Sequence, residues 1–195
     1  RAQQEGYRAR AAYKLTEIDD TLGLIKPGHV VVDLGAVPGA WSQVVRRRLA
    51  PAGAAVGALP GTLIALDILD FEPIEGVTFI QGDFREEEVL RRLEAELAGR
   101  PVDLVLSDMA PDTTGIRHVD QARSEGLFER AVDLAEELLS PGGSFLGKLF
   151  QGPDFQRLRA RLQAGFSEVR VVKPDSSRKE SIELYILALR RKAPL

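Results

Sequence analysis

The sequence predicts one α/β domain with a doubly wound, mostly parallel seven-stranded sheet and helices on both faces. Seven short apolar runs rich in β-branched residues recur along the 195 residues, as expected of strands buried on both faces. Helical patterns separate most of these runs, as in parallel crossover connections. Only loop residues separate the last two runs, which predicts a terminal antiparallel pair.

The predicted strands are apolar runs bounded by glycine, proline or polar residues. They span Val30–Leu34, Leu63–Leu66, Val77–Ile80, Leu104–Leu106, Phe145–Leu149, Val169–Val172 and Leu184–Leu189. The stretch Ala50–Thr62 is rich in small residues, glycine and proline, and is predicted to be a long loop. Ligands bind such sheets at the carboxyl ends of the strands, near the change in strand order.

Five helices are predicted from apolar spacing and boundary residues. They span Ala9–Thr21, Trp41–Leu49, Glu86–Leu97, Gln121–Leu139 and Asp154–Ala164. Asp83 is the predicted N-cap of the third helix. The Ser-Pro-Gly-Gly sequence at 140–143 is the predicted stop of the fourth.

Composition excludes several classes of site. The chain has no cysteine, which excludes disulfides and thiol nucleophiles, and its two histidines make a zinc site a poor hypothesis. No apolar run approaches the roughly 18 residues of a membrane span. The chain opens with Arg1 and lacks a signal-peptide pattern, so we expect a native N-terminal segment to be missing.

The net charge of −3 hides an uneven distribution, because cations concentrate near both ends of the chain. If the two ends meet in space, they form a basic face on an acidic body. The alternative is two solvated charged ends.

The stretch Val30–Gln43, VVVDLGAVPGAWSQ, has the outline of a nucleotide-cofactor site. A predicted strand ends at Asp33, turns through Gly35, Pro38 and Gly39, and leads into a helix. Glycines let the backbone approach a ligand, and a helix N-terminus offers free N–H groups. The turn is not a GxGxxG sequence, so it favours a cofactor without a pyrophosphate and disfavours an NAD-dependent oxidoreductase.

Acidic residues end the next strands. Asp67 is placed to accept hydrogen bonds from a ribose diol, with a helix cap or a solvated loop residue as the alternative. Asp83 suits an adenine amino group or neighbouring backbone, in competition with its capping role. Asp108 is expected to point into the same cleft. Lys148 lies in an apolar strand, where it is either a base in its neutral form or a snorkelling edge lysine.

These stretches resemble one family, the FtsJ/RrmJ (RlmE-type) S-adenosylmethionine-dependent ribosomal RNA 2′-O-methyltransferases. RARAAYKL resembles the family's RSRAxxKL, and DLGAVPGAWSQ resembles DLGAAPGGWSQ. QGDF, SDMAP, LSPGGSF, FQG and KPDSSRKESIELY follow in the expected order and spacing. The ordered set runs nearly end to end, and it implies a Rossmann-like class I methyltransferase fold.

The resemblance implies a catalytic tetrad of Lys14, Asp108, Lys148 and Glu183, although Lys14 and Glu183 alone would be interpreted as surface charges. The family's cofactor residues correspond to Gly39, Trp41, Asp67, Asp83 and Asp108. The implied reaction transfers a methyl group from S-adenosylmethionine to a ribose 2′-hydroxyl and requires no metal. In it, Lys148 is either the general base or a charged group that orients the hydroxyl.

The implied substrate is a uridine of large-subunit (23S-type) ribosomal RNA, within the large ribosomal subunit or its precursor. Arg8, Arg10, Arg178 and Lys179 are the predicted RNA contacts, the first two in a basic N-terminal helical region, residues 1–22. The alternatives are a methyltransferase of the same fold that acts on tRNA or another RNA, and a non-catalytic RNA-binding ribosome-assembly protein.

A cytoplasmic monomer with one domain over residues 1–195 is expected, without membrane contact. The long loop Ala50–Thr62 and the RKES sequence before Glu183 also occur in mitochondrial relatives, so a mitochondrial location is the alternative.

Overall fold

Strands and helices alternate in the computed structural model, which describes residues 2–177 and 182–194. The strands are β1 (Val30–Leu34), β2 (Thr62–Asp67), β3 (Val77–Gln81), β4 (Val102–Ser107), β5 (Leu139–Phe150), β6 (Phe166–Val172) and β7 (Glu183–Arg191). The helices are α1 (Ala11–Leu22), α2 (Ala40–Leu49), α3 (Glu87–Leu97), α4 (Arg117–Leu138) and α5 (Phe155–Gly165). All twelve predicted elements are present, with boundaries shifted by a few residues.

The strands form one sheet in the order β3-β2-β1-β4-β5-β7-β6. The first five strands in this order are parallel, and β7 runs antiparallel to both β5 and β6. The predicted mostly parallel sheet with a terminal antiparallel pair is therefore confirmed. The strand order reverses between β1 and β4, and this is where a ligand site is expected in such sheets.

Both faces of the sheet are covered, because its central strands are apolar on both sides. Helices α1 and α2 pack on one face through buried residues such as Leu15 and Val45. Helices α3, α4 and α5 pack on the other, where the rings of Phe128 and Phe145 meet edge to face. This arrangement confirms the doubly wound fold. None of the helices in the described ranges is both long and apolar enough to cross a membrane.

Helix α4 differs most from its prediction. It begins at Arg117, four residues before the predicted start, because Asp120 in its first turn accepts the backbone N–H groups of Thr114 and Gly115 and orders the preceding loop. It ends at Leu138, one residue before the predicted end and two before the predicted stop signal. The Ser-Pro-Gly-Gly residues themselves enter β5, whose pairing with β4 is irregular there.

The two ends of the chain meet only in part. The N–H of Ser176 donates to both carboxylate oxygens of Glu17, which docks the segment after β6 on α1. Arg190 instead pairs with Glu168, and Arg191 donates to backbone carbonyls at the end of α4. Both arginines stand at the end of β7, and Glu183 stands at its start. They therefore lie far from Glu183 and do not belong to the predicted basic face.

Candidate active site

A cavity of about 420 Å³ opens at the carboxyl ends of β1, β2, β3 and β4. Backbone and side chains of four loops and one helix form its walls. The lining residues are Gly35, Val37, Leu66, Asp67, Ile68, Leu69, Gly82, Asp83, Phe84, Arg85, Asp108, Met109, Ala110, Leu127 and Arg130. Four of the predicted cofactor residues, Gly35, Asp67, Asp83 and Asp108, are therefore brought together here.

The turn after β1 owes its shape to two glycines in left-handed conformations. Gly35 has φ +66°, and a Cβ there would lie 2.3 Å from the Cγ of Met109, so the missing side chain makes room for that residue. Gly39 has φ +113° and is the N-cap of α2. Its outer side is covered by Arg8 and Phe71, so neither Gly39 nor Pro38 lines the cavity.

Trp41 also lies away from the cavity. Its side chain is 3% exposed, its Nε1–H donates to the carbonyl of Ala11 at 2.8 Å, and its ring packs near Tyr185. The indole therefore fastens α1 to α2. The backbone of Trp41 belongs to the first turn of α2, directly after the turn that follows β1.

Asp67, the last residue of β2, is held by backbone groups. Its Oδ2 accepts the N–H of Val37 at 2.9 Å, and its Oδ1 accepts the N–H of Leu69 at 3.0 Å. Each carboxylate oxygen retains a second acceptor position for a ligand hydroxyl. Beside it, the apolar side chains of Ile68 and Leu69 are more than half exposed and line the cavity.

Asp83 does not cap α3, and that prediction is wrong. The N-cap is Glu86, in an extended conformation, and no side chain caps this helix end. The carboxylate of Asp83 instead accepts the N–H of Arg85 at 3.0 Å and forms an ion pair with its guanidinium. This pairing, above all, lowers the pKa of Asp83. The residue still lines the cavity, as a carboxylate already joined to a cation.

Asp33, at the end of β1, is the most deeply buried acid of the site. It is 1% exposed, its Oδ2 accepts the hydroxyl of Ser42 at 2.8 Å, and its Oδ1 has no hydrogen-bond partner among the described residues. Burial, above all, raises the pKa of Asp33 to about 7; the nearby carboxylates of Asp108 and Asp67 act in the same direction, and the hydrogen bond from Ser42 opposes them.

The predicted tetrad is assembled beside the cavity. The Nζ of Lys148 lies 3.1 Å from Oδ1 of Asp108 and 3.7 Å from Oε1 of Glu183. The Nζ of Lys14 lies 3.2 Å from Oε2 of Glu183. These four side chains, which we call the charged cluster, come from α1, β5, β7 and the segment after β4. Two cations and two anions give the cluster a formal charge of zero.

Tyr185 belongs to this site and was not predicted. Its hydroxyl donates to Oδ1 of Asp108 at 2.8 Å, and in the sheet it stands opposite Lys148. Burial raises the pKa of Asp108, while Lys148 and this hydroxyl counteract that effect. The available signal was the alternation of β7, because Glu183 and Tyr185 share one side of the strand.

Helix α4 holds the end of β5 just beyond Lys148. The hydroxyl of Ser124 accepts the N–H of Phe150, and Glu125 accepts the N–H of Asp154. The side-chain amide of Gln121 donates to the carbonyl of Gln151. These three residues share one face of α4 and were not predicted, because their partners are backbone atoms.

The predicted RNA contacts occupy different environments. Arg10 is exposed and borders a surface groove between α1 and the segment at Asp175 and Ser176. The guanidinium of Arg8 donates to three backbone carbonyls. The predicted contacts Arg178 and Lys179 lie outside the described residues. Within residues 2–177 and 182–194, no cluster of three or more acidic or histidine side chains is arranged to hold a metal ion.

Known proteins that are similar to this chain are described as methyltransferases. Residues 7–191 match the family model described as FtsJ-like methyltransferase. The chain is 58% identical over 188 residues to the ribosomal RNA large subunit methyltransferase E of Paracidovorax citrulli, which covers 96% of this chain and 86% of that protein. It is 55% identical over 192 residues to the protein of the same name from Variovorax paradoxus, covering 98% and 86%.

A crystal structure from Plasmodium falciparum, described as a ribosomal RNA methyltransferase, superposes with a TM-score of 0.84 at 28% identity. The match covers 96% of this chain and all of that one.

Proposed function

The chain belongs to the FtsJ-like methyltransferase family, and from this premise we propose that it transfers a methyl group from S-adenosylmethionine to a ribose 2′-hydroxyl of large-subunit ribosomal RNA. One observation carries the proposal: a nucleoside-sized cavity and the charged cluster share Asp108, so a methyl donor and its acceptor can meet there. The names of the relatives supply the RNA and the ribosomal subunit.

The cavity fits the proposed methyl donor. Asp67 offers free acceptor positions for a ribose diol, and Ile68 and Leu69 offer apolar surface for an adenine ring. The described partners of Asp67 include no cationic side chain, which favours a positively charged ligand. When bound, S-adenosylmethionine supplies an electrophilic methyl group on a positively charged sulfur.

Lys148 is the group that we expect to contact the ribose hydroxyl. Its Nζ is held at a fixed position by Asp108 and Glu183, and its side chain is 9% exposed. A lysine that works as a neutral base needs neighbours that disfavour its positive charge, whereas both partners here are anions. The geometry therefore favours the second of the two roles considered for Lys148: its ammonium orients the hydroxyl and stabilises negative charge that develops on the oxygen.

Lys14 and Glu183 complete this arrangement. Lys14 lies nearer to Glu183 than Lys148 does, so each lysine has its own primary carboxylate. We expect Lys14 to position the ribose and its neighbouring phosphates, and Glu183 to hold both ammonium groups in place. Arg10, exposed beside the groove along α1, is the predicted phosphate contact that remains available within the described residues.

We further propose that the substrate is presented within the large ribosomal subunit or its precursor and that the protein acts as a single-domain monomer in the cytoplasm. The similar proteins from bacterial strains favour that compartment over the mitochondrion.

The test is to incubate the protein with methyl-labelled S-adenosylmethionine and large ribosomal subunits that lack the modification, and then to map the label. We expect label on a single ribose 2′-oxygen. Label on a base would contradict the proposed chemistry, and label only on tRNA would contradict the substrate. Absence of S-adenosylmethionine binding by calorimetry would contradict the cofactor.

A further inference from the structure

Arg8 contacts two adjacent loops that both contribute to the cavity lining, although it lies outside the cavity itself. Its Nη1 donates to the carbonyl of Pro38 at 2.9 Å and to that of Glu72 at 2.6 Å. Its Nη2 donates to the carbonyl of Pro73 at 3.2 Å. Pro38 belongs to the turn after β1, and the other two belong to the connection between β2 and β3. A single planar guanidinium therefore joins segments that are more than thirty residues apart in the chain.

Packing fixes the guanidinium in this position. Its Cζ lies 5.3 Å from the centre of the Phe71 ring, and that ring stacks on Phe79 of β3 with centroids 4.7 Å apart. The backbone N–H of Arg8 donates to the side chain of Gln43, which in turn donates to the carbonyl of Gly6. The segment before α1 is thus attached to α2 through Gln43, and to the stacked rings of Phe71 and Phe79 through the guanidinium of Arg8.

Both joined loops contribute residues to the cavity lining. The turn after β1 contributes Gly35 and Val37, and the end of β2 contributes Asp67, Ile68 and Leu69. On the cavity side, the N–H of Val37 donates to Asp67 and the N–H of Ala36 donates to the carbonyl of Leu66, so two hydrogen bonds join the same loops. On the outer side, Arg8 joins them again through the carbonyls of Pro38, Glu72 and Pro73. A carboxylate that must meet a ribose diol depends on this spacing, because hydrogen bonds weaken steeply with distance and angle.

We propose that Arg8 is a positioning residue for the cofactor cavity, which holds the two loops in a fixed relative position from outside. The inference rests on the proposed function insofar as the ligand is S-adenosylmethionine. It replaces the earlier prediction of a phosphate contact, since the guanidinium donors already face protein carbonyls. Arginine suits this role better than lysine, because its fork of donors reaches several acceptors at once, whereas an ammonium is a point charge.

The experiment compares Arg8→Lys, Arg8→Ala, Arg10→Ala and wild type, with Arg161→Ala as the matched control. Arg161 also makes several contacts, to Glu129, Asp133 and Glu136 of α4, and none of these lines the cavity. The first readout is hydrogen exchange of the ligand-free proteins. We expect faster exchange in residues 36–40 and 68–76 for both Arg8 variants only, with β5 unchanged.

The second readout is calorimetric binding of S-adenosylmethionine. We expect the dissociation constant to rise about tenfold in both Arg8 variants, and to stay within about twofold of wild type in Arg161→Ala and Arg10→Ala. Arg10→Ala should instead weaken RNA binding and reduce its salt dependence.

A phosphate contact predicts a different pattern, in which Arg8→Lys behaves like wild type and Arg8→Ala weakens RNA binding alone. That pattern, or unchanged exchange in residues 68–76, would overturn the proposal. If wild type itself failed to bind S-adenosylmethionine, the proposed function would fail, while the exchange data would still decide whether Arg8 holds the two loops.

Discussion

The two halves of the site, on either side of the boundary between β1 and β4, treat their carboxylates differently. Around the cavity, Asp33 and Asp67 are held by a hydroxyl and by backbone N–H groups, without a cation among their described partners. In the charged cluster, Asp108 and Glu183 each contact a lysine. The cavity half therefore offers Asp67 as a carboxylate without a cationic partner and suits a cationic methyl donor, whereas the charged cluster is already neutral and suits an uncharged hydroxyl.

Replacing Lys148 tests the neutral half and has the largest expected effect. Lys148→Ala removes the group that contacts the hydroxyl, so kcat should fall about a thousandfold. The dissociation constant of S-adenosylmethionine should change less than about threefold, because Lys148 does not line the cavity. Single-turnover assays and calorimetry measure the two quantities. Lys26→Ala, at an exposed lysine, is the control, and a variant at 148 with full activity would refute the assignment.

Replacing Asp33 tests the cavity half through stability. The raised pKa means that the native state keeps a proton that the unfolded chain releases above about pH 4, so Asp33 lowers the free energy of unfolding as the pH rises toward about 7. Asp33→Asn removes this effect. Between about pH 5 and pH 8, the stability of the variant relative to wild type should increase by about 3 kcal/mol.

Urea unfolding of the ligand-free proteins at the two pH values measures this change. Asp112→Asn, at an exposed acid, should show no such trend. A constant difference between Asp33→Asn and wild type would mean that Asp33 is ionised throughout this range.

Replacing Asp67 tests whether the cavity half binds the methyl donor. Asp67→Ala removes the predicted ribose acceptor and the hydrogen bond to Val37, so the dissociation constant of S-adenosylmethionine should rise about thirtyfold. Asp70→Ala, at an exposed acid three residues later that does not line the cavity, should bind nearly as wild type does. Equal affinities in calorimetry would separate Asp67 from ligand binding.

Replacing Tyr185, which contacts Asp108 of the charged cluster, has the smallest expected effect. Tyr185→Phe removes a hydroxyl that stabilises the ionised form of Asp108, so the pKa of Asp108 should rise further. The acidic limb of the kcat/KM profile should move to higher pH, with kcat at its plateau reduced only about threefold. Tyr7→Phe is the control, and an unmoved limb would show that Asp108 does not determine it.

The fold and the tetrad could be predicted because they leave local patterns. Buried parallel strands require continuous apolar runs, and the ordered stretches around Lys14, Asp108, Lys148 and Glu183 mark the cluster. The contacts that could not be predicted involve partner atoms that leave no pattern in the sequence. Arg8 meets backbone carbonyls, which every residue has. Asp83 pairs with Arg85 and does not cap the helix that follows it. The predicted RNA contacts Arg178 and Lys179 lie outside the described residues and stay predictions.

The role of Tyr185 depended on strand register. Its position opposite Lys148 follows from antiparallel pairing between strands that are separated by a helix and another strand. Periodicity shows which face of β7 a residue occupies but not which residue of β5 stands beside it. The cofactor role predicted for Trp41 had a similar weakness, since a motif position does not show whether the ring or the backbone faces the ligand.

Met109, which fills the space that a side chain at Gly35 would need, is the one methionine of the chain. It lines the cavity directly after Asp108, at the boundary between the two halves. A sample labelled with ¹³C at the methionine methyl would therefore give a single NMR resonance from the place where donor and acceptor are expected to meet. Its chemical shift would report ligand entry without any engineered probe.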